Sequence, residues 1–151
     1  MTKKPRTLLW LEDVTETVPE QIIHARRMGL DVCTVANLPR FANRLYEGGV
    51  CGIVLDIMII GMNDLNVVDM DVSTDGGYEA GWVLLEHYLR SPDGPAAIQN
   101  IPVIVLSSRA LSAEYKAKLD NINKGKPQAV EYIEKGEEEW EEKFYDWLKN
   151  L

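Results

Sequence analysis

Apolar positions along the chain switch between a spacing of two to one and a spacing of three to four, segment by segment. Thr7 to Leu11 is a short apolar run, and Pro19 to Met28 follows with apolar residues at helical spacing, closed by Gly29. Leu30 to Val35 repeats the strand pattern, and Pro39 to Tyr46 repeats the helical one, ended by Gly48 and Gly49. Val50 to Ile60 is a very apolar strand. After a polar interval from Gly61 to Gly77 come helix Tyr78 to Arg90, strand Ile101 to Leu106, helix Ser112 to Ile122, strand Ala129 to Ile133 and helix Glu137 to Leu151. Five strands alternating with five helices, the strands too apolar to have a wet face, predict an α/β fold: a doubly wound parallel sheet covered on both sides.

The chain of 151 residues is the size of one domain, residues 1–151, and 46% hydrophobic residues suffice for a packed core. Sixteen Lys and Arg against twenty-four Asp and Glu give a net charge of −8, which repels a phosphate backbone and disfavours nucleic acid as a partner. Cys33 and Cys51 lie inside apolar runs and read as buried, reduced thiols, in keeping with the cytoplasm. The start, MTKKPRTLLWLEDV, is basic, but acidic residues interrupt its apolar stretch too soon for a signal-peptide core. The longest apolar run, Gly49 to Met62, carries Asp56 in its middle and falls short of the roughly 20 residues that a membrane span needs, so no membrane segment is expected.

In sheets of this kind ligands bind beyond the carboxyl ends of the strands, so the chemistry belongs to the residues that follow each apolar run. The first strand ends in Glu12 and Asp13, the third in Asp56, the fourth in Ser107 and Ser108, and the fifth in Lys135. Asp13 alone reads first as a helix cap or turn former. Asp56 is followed by four apolar residues, so its ionised carboxylate needs a metal or a counter-charge, and an ion pair with Lys135 would also serve. Three carboxylates at one sheet edge suit a hard divalent cation such as Mg²⁺. A lysine and a hydroxyl on the opposite rim suit a phosphoryl group, which a carboxylate can accept as an acyl phosphate.

With those pieces in order, LLWLEDV, GIVLDIMI, IPVIVLSSRA and VEYIEKG, the chain resembles the receiver domains of bacterial two-component response regulators over nearly its whole length. The resemblance implies a flavodoxin-like fold with strand order 2-1-3-4-5 and one Mg²⁺ held by Glu12, Asp13, Asp56 and the backbone carbonyl of Met58. It makes Asp56 the phosphoacceptor, with Ser107 and Lys135 binding the phosphoryl oxygens. Ser107 and Tyr132 become the switch pair, although Tyr132 alone reads equally as a core or edge aromatic. Met58 and Arg109, two residues beyond Asp56 and Ser107, take the places that tune phosphoryl lifetime. Ile60 and Gly136 stand where family members usually carry proline. A sensor histidine kinase or phosphotransfer protein would supply the phosphoryl group. The output would be protein contacts, or a homodimer, through the face formed by the fourth helix, fifth strand and fifth helix.

The segment from Gly61 to Gly77 is longer than the family's short loop and contains Asp64, Asp69, Asp71 and Asp75. It reads as a solvated loop, as a lid or docking element, or as a second cation site that lacks a calcium loop's glycine and terminal glutamate. In the last helix Trp140, Phe144, Trp147, Leu148 and Leu151 form an apolar stripe, either docked on the sheet or open to a partner, while Glu137 to Glu139 fall in its first turn. His24 and His87 have no ligand partner at suitable spacing and read as surface or packing residues. The expectation is a stand-alone receiver, a phosphorylation-controlled switch with no turnover beyond the self-catalysed chemistry of Asp56. Its rivals are a receiver-like interaction module that works without phosphorylation, and a Mg²⁺-dependent phosphohydrolase, for which Met58 stands where a general acid would be useful.

Overall fold

The computed structural model describes residues 6–11, 19–36, 38–55, 85–91, 96–107, 111–125 and 129–151. Strand β1 (Thr7–Leu11) is buried along its full length, because a central strand has a neighbour on each edge and a helical layer on each face. It pairs in parallel with β2 (Asp31–Val35) on one side and β3 (Val50–Leu55) on the other. Strands β4 (Val103–Ser107) and β5 (Glu131–Glu134) complete a parallel sheet of order β2-β1-β3-β4-β5, the order expected from the resemblance.

Helices α1 (Pro19–Arg27) and α6 (Trp140–Lys149) cover one face of the sheet. There Ile22 and Ala25 meet Phe144, Trp147 and Leu148 over Leu8, Trp10, Val54, Ile104 and Ile133. The rings of Trp10 and Phe144 meet edge to face with centroids 5.4 Å apart. The other face packs against α2 (Leu38–Tyr46), the π-helical turn α3 (Leu85–Leu89), the single turn α4 (Ala96–Gln99) and α5 (Ala113–Asn123). Five of these six segments are the helices read from periodicity, and α4 is an addition.

The local stops follow elementary rules. Helix α1 ends in a Schellman motif, with Gly29 at φ +88°, its N–H donating to the Arg26 carbonyl at 3.0 Å and the Leu30 N–H to that of Ala25 at 3.2 Å. Ser112 caps α5, its hydroxyl accepting from the Tyr115 N–H at 3.2 Å. Asn123 clamps the end of α5 to the approach of β5, donating to the Val130 carbonyl at 3.0 Å and accepting from its N–H at 2.7 Å.

Two helices differ from the sequence reading in more than a residue or two at their ends. The last helix begins at Trp140 rather than Glu137, because residues 135–139 form turns and Glu139 takes a left-handed conformation at φ +64°. Its first turn is still acidic, through Glu141 and Glu142. The apolar stripe of this helix docks on the sheet, with Phe144, Trp147 and Leu148 buried and Trp140 and Leu151 packed at the margin. Of the expected helix Tyr78 to Arg90, residues 78–84 lie outside the described set, and 85–89 wind as a π-turn.

Candidate functional site

The carboxyl ends of β4 and β5 are joined one step beyond their last paired residues. Ser107 is the register partner of Glu134, and the Lys135 N–H donates to the Ser107 carbonyl at 2.7 Å. The expected hydroxyl and the expected ammonium therefore belong to adjoining strand ends, tied through the backbone. Ser107 is the final residue of β4 rather than the first beyond it, and it is only 2% exposed. That burial is unusual for a serine and requires that its polar groups be satisfied inside the protein.

Strand alternation fixes which face each residue serves. Val103 and Val105 face the α5 layer, Ile104 and Leu106 face the α6 layer, and Ser107 falls next on the α5 side. On β5, Ile133 belongs to the α6 layer, and Tyr132 packs against the α5 layer. Tyr132 is the register partner of Val105, so it lies diagonally behind Ser107 on the same face. The sequence-expected switch pair is thus brought together, with Tyr132 half-buried.

At the centre of the sheet, Leu11 and Leu55 are register partners and are the last described residues of β1 and β3. The next residues in the chain are Glu12 and Asp13 after the first, and Asp56 after the second. Glu12, Asp13, Asp56, Met58, Arg109, Ile60 and the 61–77 segment all lie outside the described residues. Among the described residues no group of three or more His, Cys, Asp or Glu side chains could hold a metal ion.

Tyr115 was not among the expected residues. It stands in the first turn of α5, a few positions after Ser107, and packs half-buried on the same core as Tyr132. The Lys118 ammonium lies 5.8 Å from its ring centroid and 3.4 Å from Glu86 of α3. The available signal was an aromatic in an otherwise polar helical turn just after the Ser107 strand. Gly136, which follows Lys135, has no positive φ, and a Cβ there would meet only Glu134 Oε1 at 3.7 Å. The backbone does not demand glycine at this position.

No family model matches the sequence, and no curated protein matches it. Solved structures do. The response regulator receiver domain protein (CheY-like) from Methanospirillum hungatei JF-1 superposes with a TM-score of 0.60 at 17% identity, covering 97% of this chain and 95% of that one. The N-terminal domain of a response regulator receiver protein from Methanoculleus marisnigri JR1 gives 0.56 at 19% identity, covering 96% and 94%. The Vibrio cholerae chemotaxis protein CheY4 gives 0.57 at 14% identity, covering 97% and 98%. The chain has the receiver fold. The match spans nearly all of both chains in each comparison, so the receiver fold accounts for the whole sheet and both helical layers. No described helix is long and apolar enough to cross a membrane.

Proposed function

We propose that this receiver fold works as a phosphorylation-controlled signalling receiver that accepts a phosphoryl group on Asp56. The observation that carries the reading is the backbone tie between Ser107 and Lys135 at adjoining strand ends, beside the Leu11–Leu55 register pair from which the chain continues into Glu12, Asp13 and Asp56. A carboxylate oxygen of Asp56 attacks phosphorus, and the bond from phosphorus to the donor's imidazole nitrogen breaks. The donor histidine, on a kinase or phosphotransfer protein and protonated at its other ring nitrogen, keeps that electron pair and is left as neutral imidazole. The Lys135 ammonium and the Ser107 hydroxyl serve the equatorial oxygens, one as a fixed positive charge and one as a hydrogen-bond donor.

The donor set of Glu12, Asp13 and Asp56 is all hard carboxylate oxygen, which fits Mg²⁺. When bound, that ion would neutralise charge accumulating on the phosphoryl oxygens. Tyr132, diagonal to Ser107 on one face, would carry the change at the site towards the β5 and α6 surface. The protein would act by contact, with no turnover of a small-molecule substrate.

The test is incubation of the full chain with Mg²⁺ and acetyl phosphate, read by intact mass. One added phosphoryl group is expected in the wild type and none in Asp56→Asn. Ser107→Ala and Lys135→Ala should each slow phosphorylation without abolishing Mg²⁺ binding. An unmodified wild type that also binds no Mg²⁺ would sink this reading in favour of an interaction module that works without phosphorylation.

A further inference from the structure

On the edge of the sheet a surface groove of about 320 Å³ opens between β5 and α6, lined by Glu131, Tyr132, Ile133, Lys143, Asp146, Trp147 and Asn150. Its apolar part comes from Ile133 and Trp147, both anchored in the core, so the groove is a preformed feature of the fold. Its polar part is not neutral. The lining carries two exposed carboxylates, Glu131 and Asp146, against one cation, Lys143, whose Nζ lies 3.1 Å from Glu137 Oε2 in an exposed pair of small energetic weight. Lys149 reaches Asp146 only at 3.8 Å, with both side chains well exposed, a pairing of small energetic weight.

The surroundings extend the same sign. From residue 131 to residue 150 the chain carries eight carboxylates against three lysines, a net −5 out of −8 for the whole chain. A second copy of this chain would bring that same charge against itself, and a phosphate-bearing surface would be repelled. We propose that the β5–α6 groove docks a basic segment of a partner protein. An Arg or Lys side chain would lie along Ile133 and Trp147, with its cationic head paired to Glu131 and Asp146. The location rests on the proposed reading, in which the β5 and α6 surface makes the output contact; the groove and its charge add the chemistry of the partner, and the peptide titration below tests that chemistry separately from phosphorylation of Asp56.

The full chain, ¹⁵N-labelled, would be titrated with a synthetic peptide of alternating arginine and serine, and with a glutamate–serine counterpart. The arginine peptide should shift amides of residues 131–133 and 143–150, with affinity falling about tenfold or more as salt rises from about 50 to about 300 mM. Glu131→Gln combined with Asp146→Asn should weaken binding about tenfold. Glu141→Gln combined with Glu142→Gln removes equal charge from exposed α6 positions outside the groove lining and should weaken it less than about threefold. Equal losses from the two pairs, shifts spread over the acidic surface, or no preference over the glutamate peptide would each overturn the proposal. So would sedimentation showing a dimer that the Glu131→Gln/Asp146→Asn pair strengthens.

Discussion

Gly52 in β3 and Gly136 in the turn after β5 show how differently two glycines are constrained. A Cβ on Gly52 would come within 3.0 Å of both Leu151 methyls and 3.2 Å of Trp147 Cη2, so the side chains that seal the base of the α6 layer occupy its place. Gly52→Ala should cost about 1–2 kcal/mol in urea unfolding, and adding Leu151→Ala should return part of the loss. Gly136→Ala meets no such barrier and should leave stability within about 1 kcal/mol, on the favourable side, by reducing the freedom of the unfolded chain. The same scale explains Arg90, which is 3% exposed. Burial lowers its guanidinium to about 10, and its nitrogens donate to the carbonyls of Leu89 at 3.0 Å, Ile98 at 3.4 Å and Ile101 at 2.5 Å. Arg90→Met would leave those carbonyls without the guanidinium donors and should cost about 2–4 kcal/mol in the same measurement. Nothing in the sequence distinguished Arg90 from a surface arginine, because its burial depends on α3, α4 and the start of β4 meeting.

Among the elements, the start of α6 departs most clearly from its periodic pattern. Glu137 to Glu139 look helical because acids favour a helix N-terminus, yet the chain must first turn away from β5, and it spends residues 135–139 doing so. Glu139 takes the left-handed conformation at the N-cap without a side-chain capping bond. Glu139→Gly should therefore raise stability by about 0.5 kcal/mol, read as a shift in the urea midpoint. Strand positions were far more legible. The five residues of β1 coincide with the expected run, and β2, β4 and β5 fall within two residues of expectation; β1 and β4, buried on both faces, leave an uninterrupted apolar signature, whereas β2 and β5 at the sheet edges alternate in burial. Of the candidate site, the element placement of Ser107, Tyr132 and Lys135 was legible, because each lies in or just after a short run with strand periodicity. The backbone tie of Lys135 to Ser107 and the diagonal placement of Tyr132 were not, because register between β4 and β5 is a relation between segments far apart in sequence.

At the scale of the whole molecule, ionisation couples the layers to the solvent. Burial pushes the Tyr145 phenol above its ordinary 10.0, helped by the Glu141 and Glu20 carboxylates and opposed by a hydrogen bond with Gln21. The ring also stacks on His24 of α1, with centroids 3.7 Å apart. Burial likewise raises the Cys51 thiol above 9.0, against the lowering effect of Arg6. In both cases the folded state holds its proton longer than the unfolded one. Their contribution is complete at neutral pH and is lost as pH climbs through the thiol and phenol ranges. Urea midpoints should fall above about pH 9, and Tyr145→Phe should flatten the later part of that fall. The arrangement of layers was already implicit in the chain, because the alternation of two hydrophobic periods and the polar residues closing each apolar run are local properties. Which strand ends adjoin, that Ser107 and Lys135 share a hydrogen bond, and that an acidic groove opens beside β5 came only with folding, since each brings together residues whose separation along the chain carries no record of their distance in space.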